Sequence, residues 1–577
     1  MNKPNFKPKW RFSHVFCLFL LRGGVFGQTV APYDILIDEF MADPMPTIDT
    51  LPNAEFIELY NRSDNPINLK GFKIVNGKDT SLIDTSYILG KQQYLIIYPK
   101  SKTEFRKFGA GYGVTKFGAL NNTVDEFYLV SDNNKIIDAA KYDNTYYQDS
   151  KKSGGGWTLE RINPNAPCDI RGWIASKNKV GGTPNMRNSV YIDSTDRIPP
   201  KLERYFWENT KTIVLVYDKS LNISIAKDIS RYKISDNSNF ESIELDTTFR
   251  NSQAIKLKFS QTLKAKTTYF LYINNINKDC IGRSLPLSKT DTIPLRLDES
   301  FIWNELIINE ILADPETGGS RFIELYNNSK DKVVDIKNLK IDDIDVSTKM
   351  LLFPKQYIVL TDNPFYIQKR YKAEAFSKKI IKQKLTTWKT DTAKVRLRNG
   401  TTFLDSFTYN KSWHNPLIAN TEGVSLERIN PNKPSNDASN WQSAAQTVGY
   451  ATPGRQNSQY KLTDSLSISA QSKQIFKLEK KTFSPDSDGF DDFLILNYRF
   501  DKSGYAASIF IFDDKGRRVK TLINNALLSV EGNIIWQGDT DEGLKVRQGI
   551  YIVSIEWVSP MGKVEREKLA CYVAGRL

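Results

Sequence analysis

Two long stretches of this chain repeat one another in order. ILIDEFMADP (35–44) and AEFIELYNRS (54–63) return as LIINEILADP (306–315) and RFIELYNNS (321–329). WTLERINPNAP (157–167) returns as VSLERINPNKP (424–434), and GGTPNMRNS (181–189) as YATPGRQNS (450–458). The offset stays near 270 residues over more than 150 positions, so a whole domain is duplicated rather than a short repeat stacked. Within each copy, short apolar and aromatic runs stand between Gly, Asn, Asp and Pro. In the first copy these are Ile35–Phe40, Phe56–Tyr60, Tyr94–Ile97, Phe127–Val130 and Lys135–Tyr142; in the second, Leu306–Leu312, Phe322–Tyr326, Gln356–Leu360, Val395–Leu397 and Thr402–Tyr409. Many short strands with turn residues between them predict a sandwich or barrel.

The fold class is therefore all-β, with several sandwich or barrel domains in tandem. Residues 28–193 and 299–460 form the two copies. Between them, 194–298 carries TIVLVY (212–217), AIKLKF (254–259) and TYFLYI (268–273), enough for one sandwich. A polar linker, Asp464–Ser472, enters the last unit, 461–577. One short helix is expected after Asn363-Pro364.

Residues 1–27 read as a signal peptide: Lys3, Lys7, Lys9 and Arg11 precede the apolar run Val15–Leu21, and Gly27 offers a cleavage point. That implies export to the cell surface or medium, with the periplasm as the alternative. Five basic and no acidic residues leave with it, so the formal charge falls from +14 to +9. Cys168, Cys280 and Cys571 then fall in three different units, which predicts no disulfide framework. His414 is the sole remaining histidine, which argues against zinc sites, histidine acid–base catalysis and nucleophile–histidine triads. No catalytic residue is assigned.

The duplicated unit resembles the lamin tail domain on Asn309-Glu310-Ile311 with Phe322-Ile323-Glu324-Leu325-Tyr326-Asn327, on Ser425-Leu426-Glu427-Arg428, and on Thr452-Pro453-Gly454. The first copy departs at Asp38, Thr158 and Asn185. The resemblance implies an immunoglobulin-like sandwich of the kind carried by exported bacterial proteins. The last unit resembles the immunoglobulin-like C-terminal domain of exported Bacteroidota-type proteins, similar to that of the flagellar hook-capping protein. The residues are the F-S-P-x-x-D-G start at Phe483, Asp513–Val519, Trp536-Gln537-Gly538 and Gly549-Ile550-Tyr551. This implies a sorting or anchoring role. The middle unit looks like a bacterial immunoglobulin-like module.

Three constellations could carry chemistry. Glu39 with Glu58, and Glu310 with Glu324, are carboxylates on neighbouring strands. Such a pair can run glycoside hydrolysis at the right separation; the favoured reading is structural, with hydrogen bonds to backbone or to Arg161 and Arg428 at a sheet edge. Residues 365–385 hold Lys369, Arg370, Lys372, Lys378, Lys379, Lys382 and Lys384 among aromatics, a patch for an acidic polymer or else a solvated helix face. Asp486, Asp488, Asp491 and Asp492 crowd around Gly489, which suits calcium or an acidic turn. Trp157, Trp173, Trp413 and Trp441 could stack sugars, but Trp173 and Trp441 hold matching positions in both copies and are expected to pack in the core or at an edge. The chain reads as a non-enzymatic binding or scaffold protein of the cell envelope. Its partner would be a protein or an acidic glycan or nucleic acid, with no small-molecule cofactor. An envelope hydrolase, or an accessory subunit of one, is the alternative.

Overall fold

The computed structural model describes residues 30–249, 252–274, 276–286, 290–462 and 474–575. The signal-peptide reading of 1–27 and the linker Asp464–Ser472 fall outside these residues. The described chain is built of β-strands, with one seven-residue helix, Pro364–Arg370, whose N-cap Asn363 accepts from Tyr366 N–H at 3.0 Å.

Each repeat pairs a six-stranded with a four-stranded sheet. In the first repeat the large sheet runs Trp173–Ala175, Leu159–Arg161, Ile35–Met41, Phe56–Asn61, Tyr94–Pro99, Gly111–Val114. In the second it runs Trp441–Ser443, Leu426–Arg428, Leu306–Leu312, Phe322–Asn327, Tyr357–Thr361, Ile380–Lys382. Pairing is antiparallel except at the last strand, which is parallel in both. The smaller sheets run Ile136–Asp143, Val124–Val130, Lys73–Asn76, Asp79–Leu82, and Thr402–Asn410, Thr392–Asn399, Leu339–Ile341, Ile344–Asp345. The core lies between the sheets, with Ile37, Phe40, Leu59, Phe127 and Trp173 in one repeat and Ile308, Ile311, Leu325, Phe407 and Trp441 in the other. Trp173 and Trp441 are buried; Trp157 and Trp413 pack on the core margins.

An antiparallel sandwich normally shows one face of each sheet to water. Here every residue of Ile35–Met41 and of Leu306–Leu312 is buried. Something roofs the outer face of both large sheets, and that roof defines the site below.

Residues 202–295 form a four-stranded and a three-stranded sheet, and residues 476–573 a three-stranded and a five-stranded sheet. The units abut closely. Val333 and Leu351 of the second repeat join the core of the 202–295 unit. Lys337 Nζ donates to Trp207 O at 3.2 Å. At the other end Gln459 receives Gly504 N–H at 3.3 Å and donates to Leu528 O at 3.1 Å, while Val530 N–H donates to Ser458 O at 2.9 Å.

The cysteines correct the sequence reading. Cys168 and Cys280 form a disulfide, 112 residues apart, between the first repeat and the following unit; Cys571 is free and buried. The cysteines do belong to different units, but those units touch: Ser220 N–H donates to Cys168 O at 2.9 Å, and Asp169 bridges to Lys219. Sequence spacing carries no sign of such a contact. A closed loop of that length stabilises by about 4–5 kcal/mol on chain entropy.

Candidate functional site

Strand register places three glutamates side by side in each repeat. Glu39 lies opposite Glu58 on one neighbour and Glu160 on the other; Glu310 lies opposite Glu324 and Glu427. All six are fully buried on the outer face of the large sheet. Like charges directly opposite one another in a sheet repel, so a buried row needs donors or protons. It has donors. The segments after Trp173–Ala175 and Trp441–Ser443 turn back over these strands, and their N–H and O–H groups point into the row.

In the first repeat Thr183 N–H and Thr158 Oγ1 donate to Glu39 Oε1 at 2.7 and 2.6 Å, and Asn185 N–H donates to Glu58 Oε2. Thr183 Oγ1 donates to Glu160 Oε1 at 3.0 Å; Ser189 Oγ and Val190 N–H donate to its Oε2 at 2.8 and 3.1 Å. The second repeat copies this. Thr452 N–H and Ser425 Oγ meet Glu310 Oε1 at 2.9 and 2.5 Å, Gly454 N–H meets Glu324 Oε2 at 2.7 Å, and Thr452 Oγ1, Ser458 Oγ and Gln459 N–H meet Glu427 at 2.7, 2.7 and 2.9 Å. Asn188 and Asn457 clamp the strap by donating to Asp38 O with Arg161 O, and to Asn309 O with Arg428 O, at 2.9–3.0 Å. The T-P-x-x-x-N-S echo is thus a strap, and the glutamates are what it fastens to.

Burial first, then the neighbouring glutamate, pushes Glu39 and Glu310 up to about 8. Glu58 and Glu324 lie well above the usual carboxylate range for the same two reasons, and burial raises Glu427. Burial beside a like charge favours the protonated form of Glu39, Glu58, Glu310 and Glu324. A general acid must reach a substrate; these glutamates lie beneath the strap, with no exposed surface.

Arg161 and Arg428 do not pair with the glutamates, and the row is not at a sheet edge. Successive residues in a strand face opposite ways: Glu160 points outward, Arg161 inward. Arg161 meets Asp138 of the smaller sheet at 2.6 Å, and Arg428 meets Asp405 at 2.7 Å. A β-bulge falls at Asp38 and at Asn309. Just before it, Ile37 N–H donates to Asp138 and Ile37 O accepts from Arg161 Nε, both at 2.8 Å; Ile308 makes the same two bonds with Asp405 and Arg428. Each ion pair satisfies the backbone groups that a bulge removes from the ladder. Sequence reasoning missed Glu160, Glu427, Asp138 and Asp405 as members. Both copies carry them, in LER and in IDAAKY (137–142) against LDSFTY (404–409), so aligning the repeats would have found them.

The basic segment is largely occupied. Arg370 pairs with Glu316 at 2.5 Å and Lys369 with Glu374 at 3.5 Å. Lys378 Nζ donates to Leu202 O at 2.5 Å, Lys379 Nζ to Gly454 O at 3.2 Å, and Lys382 pairs with Asp143 of the first repeat at 3.0 Å. Lys372 and Lys384 are exposed. Lys378 and Lys382 thus hold the second repeat to its neighbours, and Lys369, Arg370 and Lys379 bond within it, so the seven do not form one open patch.

In the last unit, carboxylate oxygens of Asp486, Asp488 and Asp492 lie within 4.8 Å of one another, close enough to share one cation. Asp491 turns away to Lys480. Asp492 accepts Ser487 and Gly489 N–H at 2.6 and 2.8 Å, so the turn also forms on its own bonds. Burial pushes His414 down to about 4, and its Nδ1 lies 2.9 Å from Ser443 Oγ.

The lamin tail domain family matches residues 28–144 and 303–411, less than half of the chain. No curated protein matches it. Among solved structures, CopC from Methylosinus trichosporium OB3b is 19% identical over 15% of this chain and 78% of that one, with a TM-score of 0.12. Surface layer protein SbsC, domains 1–6, is 10% identical over 66% of this chain, which spans 55% of that one, with a TM-score of 0.15. PorZ, a surface component of the type-IX secretion system of Porphyromonas gingivalis, is 10% identical over 90% and 69%, with a TM-score of 0.16. Similarities this low carry no argument about function.

Proposed function

We propose that this chain is an exported, non-enzymatic scaffold of the bacterial cell envelope or surface. It would consist of two lamin-tail-like modules (28–193 and 299–460), an immunoglobulin-like module between them, and a C-terminal module that sorts or anchors it. The observation that carries this reading is the Cys168–Cys280 disulfide. Disulfides between structural units persist in oxidising compartments and are rare where glutathione keeps thiols reduced. The bond also fixes two modules to each other, and Lys378 and Lys382 tie the second repeat onto both. A fixed array of sandwiches suits presentation of surfaces to a partner, either a protein or an acidic polymer. The hydrolase reading loses its best acids, because both glutamate rows are buried and bonded to the straps.

The test is protease accessibility in intact cells, comparing the full chain with a truncation after Tyr460. Cleavage of the full chain and retention of the truncated one inside the cell supports the proposal. A full chain protected in intact cells and in spheroplasts contradicts export; a truncation that still reaches the surface contradicts the C-terminal sorting role.

A further inference from the structure

The two repeats and the module between them line an open cleft of about 610 Å³, a volume within the range of small-ligand sites and at a module interface, where such sites concentrate. Five cations line it: Arg171, Lys201, Arg204, Lys378 and Lys382, against the three carboxylates of Asp143, Glu203 and Asp218. The protein uses only part of this charge. Arg171 pairs with Glu203 at 2.5 Å and Lys382 with Asp143 at 3.0 Å, while Lys378 is held by a backbone carbonyl. Arg204 is held only loosely, by Glu203 and by the Phe249 ring, whose centroid lies 5.8 Å from its Cζ. Its Nε is buried without a hydrogen-bond partner, its Nη1 is 3.7 Å from Glu203, and Glu203 Oε2 beside it is likewise buried and unpartnered. Lys201 is exposed, and its ammonium makes no ion pair among the described residues. Buried polar groups without partners in a native structure call for one. The remaining wall mixes amides and hydroxyls with three aromatic residues, Tyr146, Trp173 and Phe365.

We infer that this cleft binds an acidic oligosaccharide, its carboxylate on Arg204 and Lys201, its hydroxyls on the amides and Glu203, and its ring face on Tyr146 or Phe365. A cleft with one free and one loosely held cation fits a short uronate segment. It does not fit a nucleic-acid backbone, which needs a row of free cations. The inference rests on the fixed-array reading above, because no single module builds the cleft.

Titration calorimetry on the oxidised full chain tests it, with trigalacturonate as probe, maltotriose as the neutral control and inorganic phosphate as the non-sugar anion. The expected result is saturable binding of trigalacturonate, no measurable heat from maltotriose, and at least tenfold weaker binding in Arg204→Gln. Lys201→Gln, an exposed change that leaves packing alone, should weaken binding in the same direction. No trigalacturonate binding, unchanged affinity in both variants, or full competition by phosphate would each overturn it. Small-angle scattering on the same samples separates the two claims. A fixed particle that ignores trigalacturonate refutes the site alone, and a particle with independently moving modules refutes the array.

Discussion

Asp38→Asn tests the glutamate-row account against a control inside the same chain. Asp38 is 3% exposed at the bulge of the first repeat, where the second has Asn309. Asn309 Nδ2 donates to Glu324 Oε1 and to Asn457 Oδ1, both at 2.8 Å. The matching atom in the first repeat, Glu58 Oε1, is buried without a partner. Burial lifts Asp38 to about 7, although Arg161 pulls the other way. An acid with a raised folded pKa holds its proton more tightly when folded. Its stabilisation is therefore full at low pH, and stability falls as pH rises from the unfolded value through the folded one. From an ordinary value of 3.8, a lift to about 7 costs the first repeat about 3 kcal/mol between roughly pH 4.5 and pH 8. Asparagine removes that slope and supplies Glu58 Oε1 with a donor, worth about 1–3 kcal/mol for a buried acceptor. Hydrogen exchange read by mass spectrometry reports opening of each repeat separately. In the wild type, peptides covering Ile35–Met41 should lose more protection with rising pH than peptides covering Leu306–Leu312. In Asp38→Asn the two should run parallel, with the variant the more stable at pH 8. An unchanged pH slope in the first-repeat peptides, or a variant less stable at pH 8, refutes the reasoning.

Arg428→Met leaves Asp405 buried without its cation and should cost about 3–5 kcal/mol by urea denaturation, with part recovered in Arg428→Met/Asp405→Leu; a loss below about 1 kcal/mol would contradict the ion pair's role at the bulge. Cys168→Ser/Cys280→Ser should destabilise the first two modules by about 4–5 kcal/mol in the same assay and leave the melting of residues 476–573 unmoved. Calcium should raise the melting temperature of the last module, an effect lost in Asp488→Asn and kept in Asp491→Asn, whose carboxylate is committed to Lys480. A melting temperature indifferent to calcium and chelator removes the ion from the account.

The repeat makes the sandwiches legible in the amino-acid sequence, because strand cores and turn residues recur together. The strands expected at Ile35–Phe40, Phe56–Tyr60 and Thr212–Tyr217 lie at Ile35–Met41, Phe56–Asn61 and Thr212–Tyr217. The glutamate pairs are legible as neighbours for the same reason. Their partners are not: Glu160 and Arg161 adjoin in sequence but face opposite sides of a sheet, so the arginine serves the bulge while the glutamate serves the strap. Contacts between modules leave no local pattern at all. Cys168 and Cys280 read as unrelated thiols, and Lys378 and Lys382 as members of an open patch, because only the packing of one unit on another brings each to its partner.

The redox state of the cysteines in the native cell tests the scaffold proposal most directly. Cells are quenched in acid, free thiols are blocked under denaturing conditions, and the chain is digested for mass spectrometry. The account predicts Cys168 and Cys280 joined in one disulfide-linked peptide pair, with Cys571 blocked. Cys168 and Cys280 both blocked as free thiols would place the chain in a reducing compartment and contradict it.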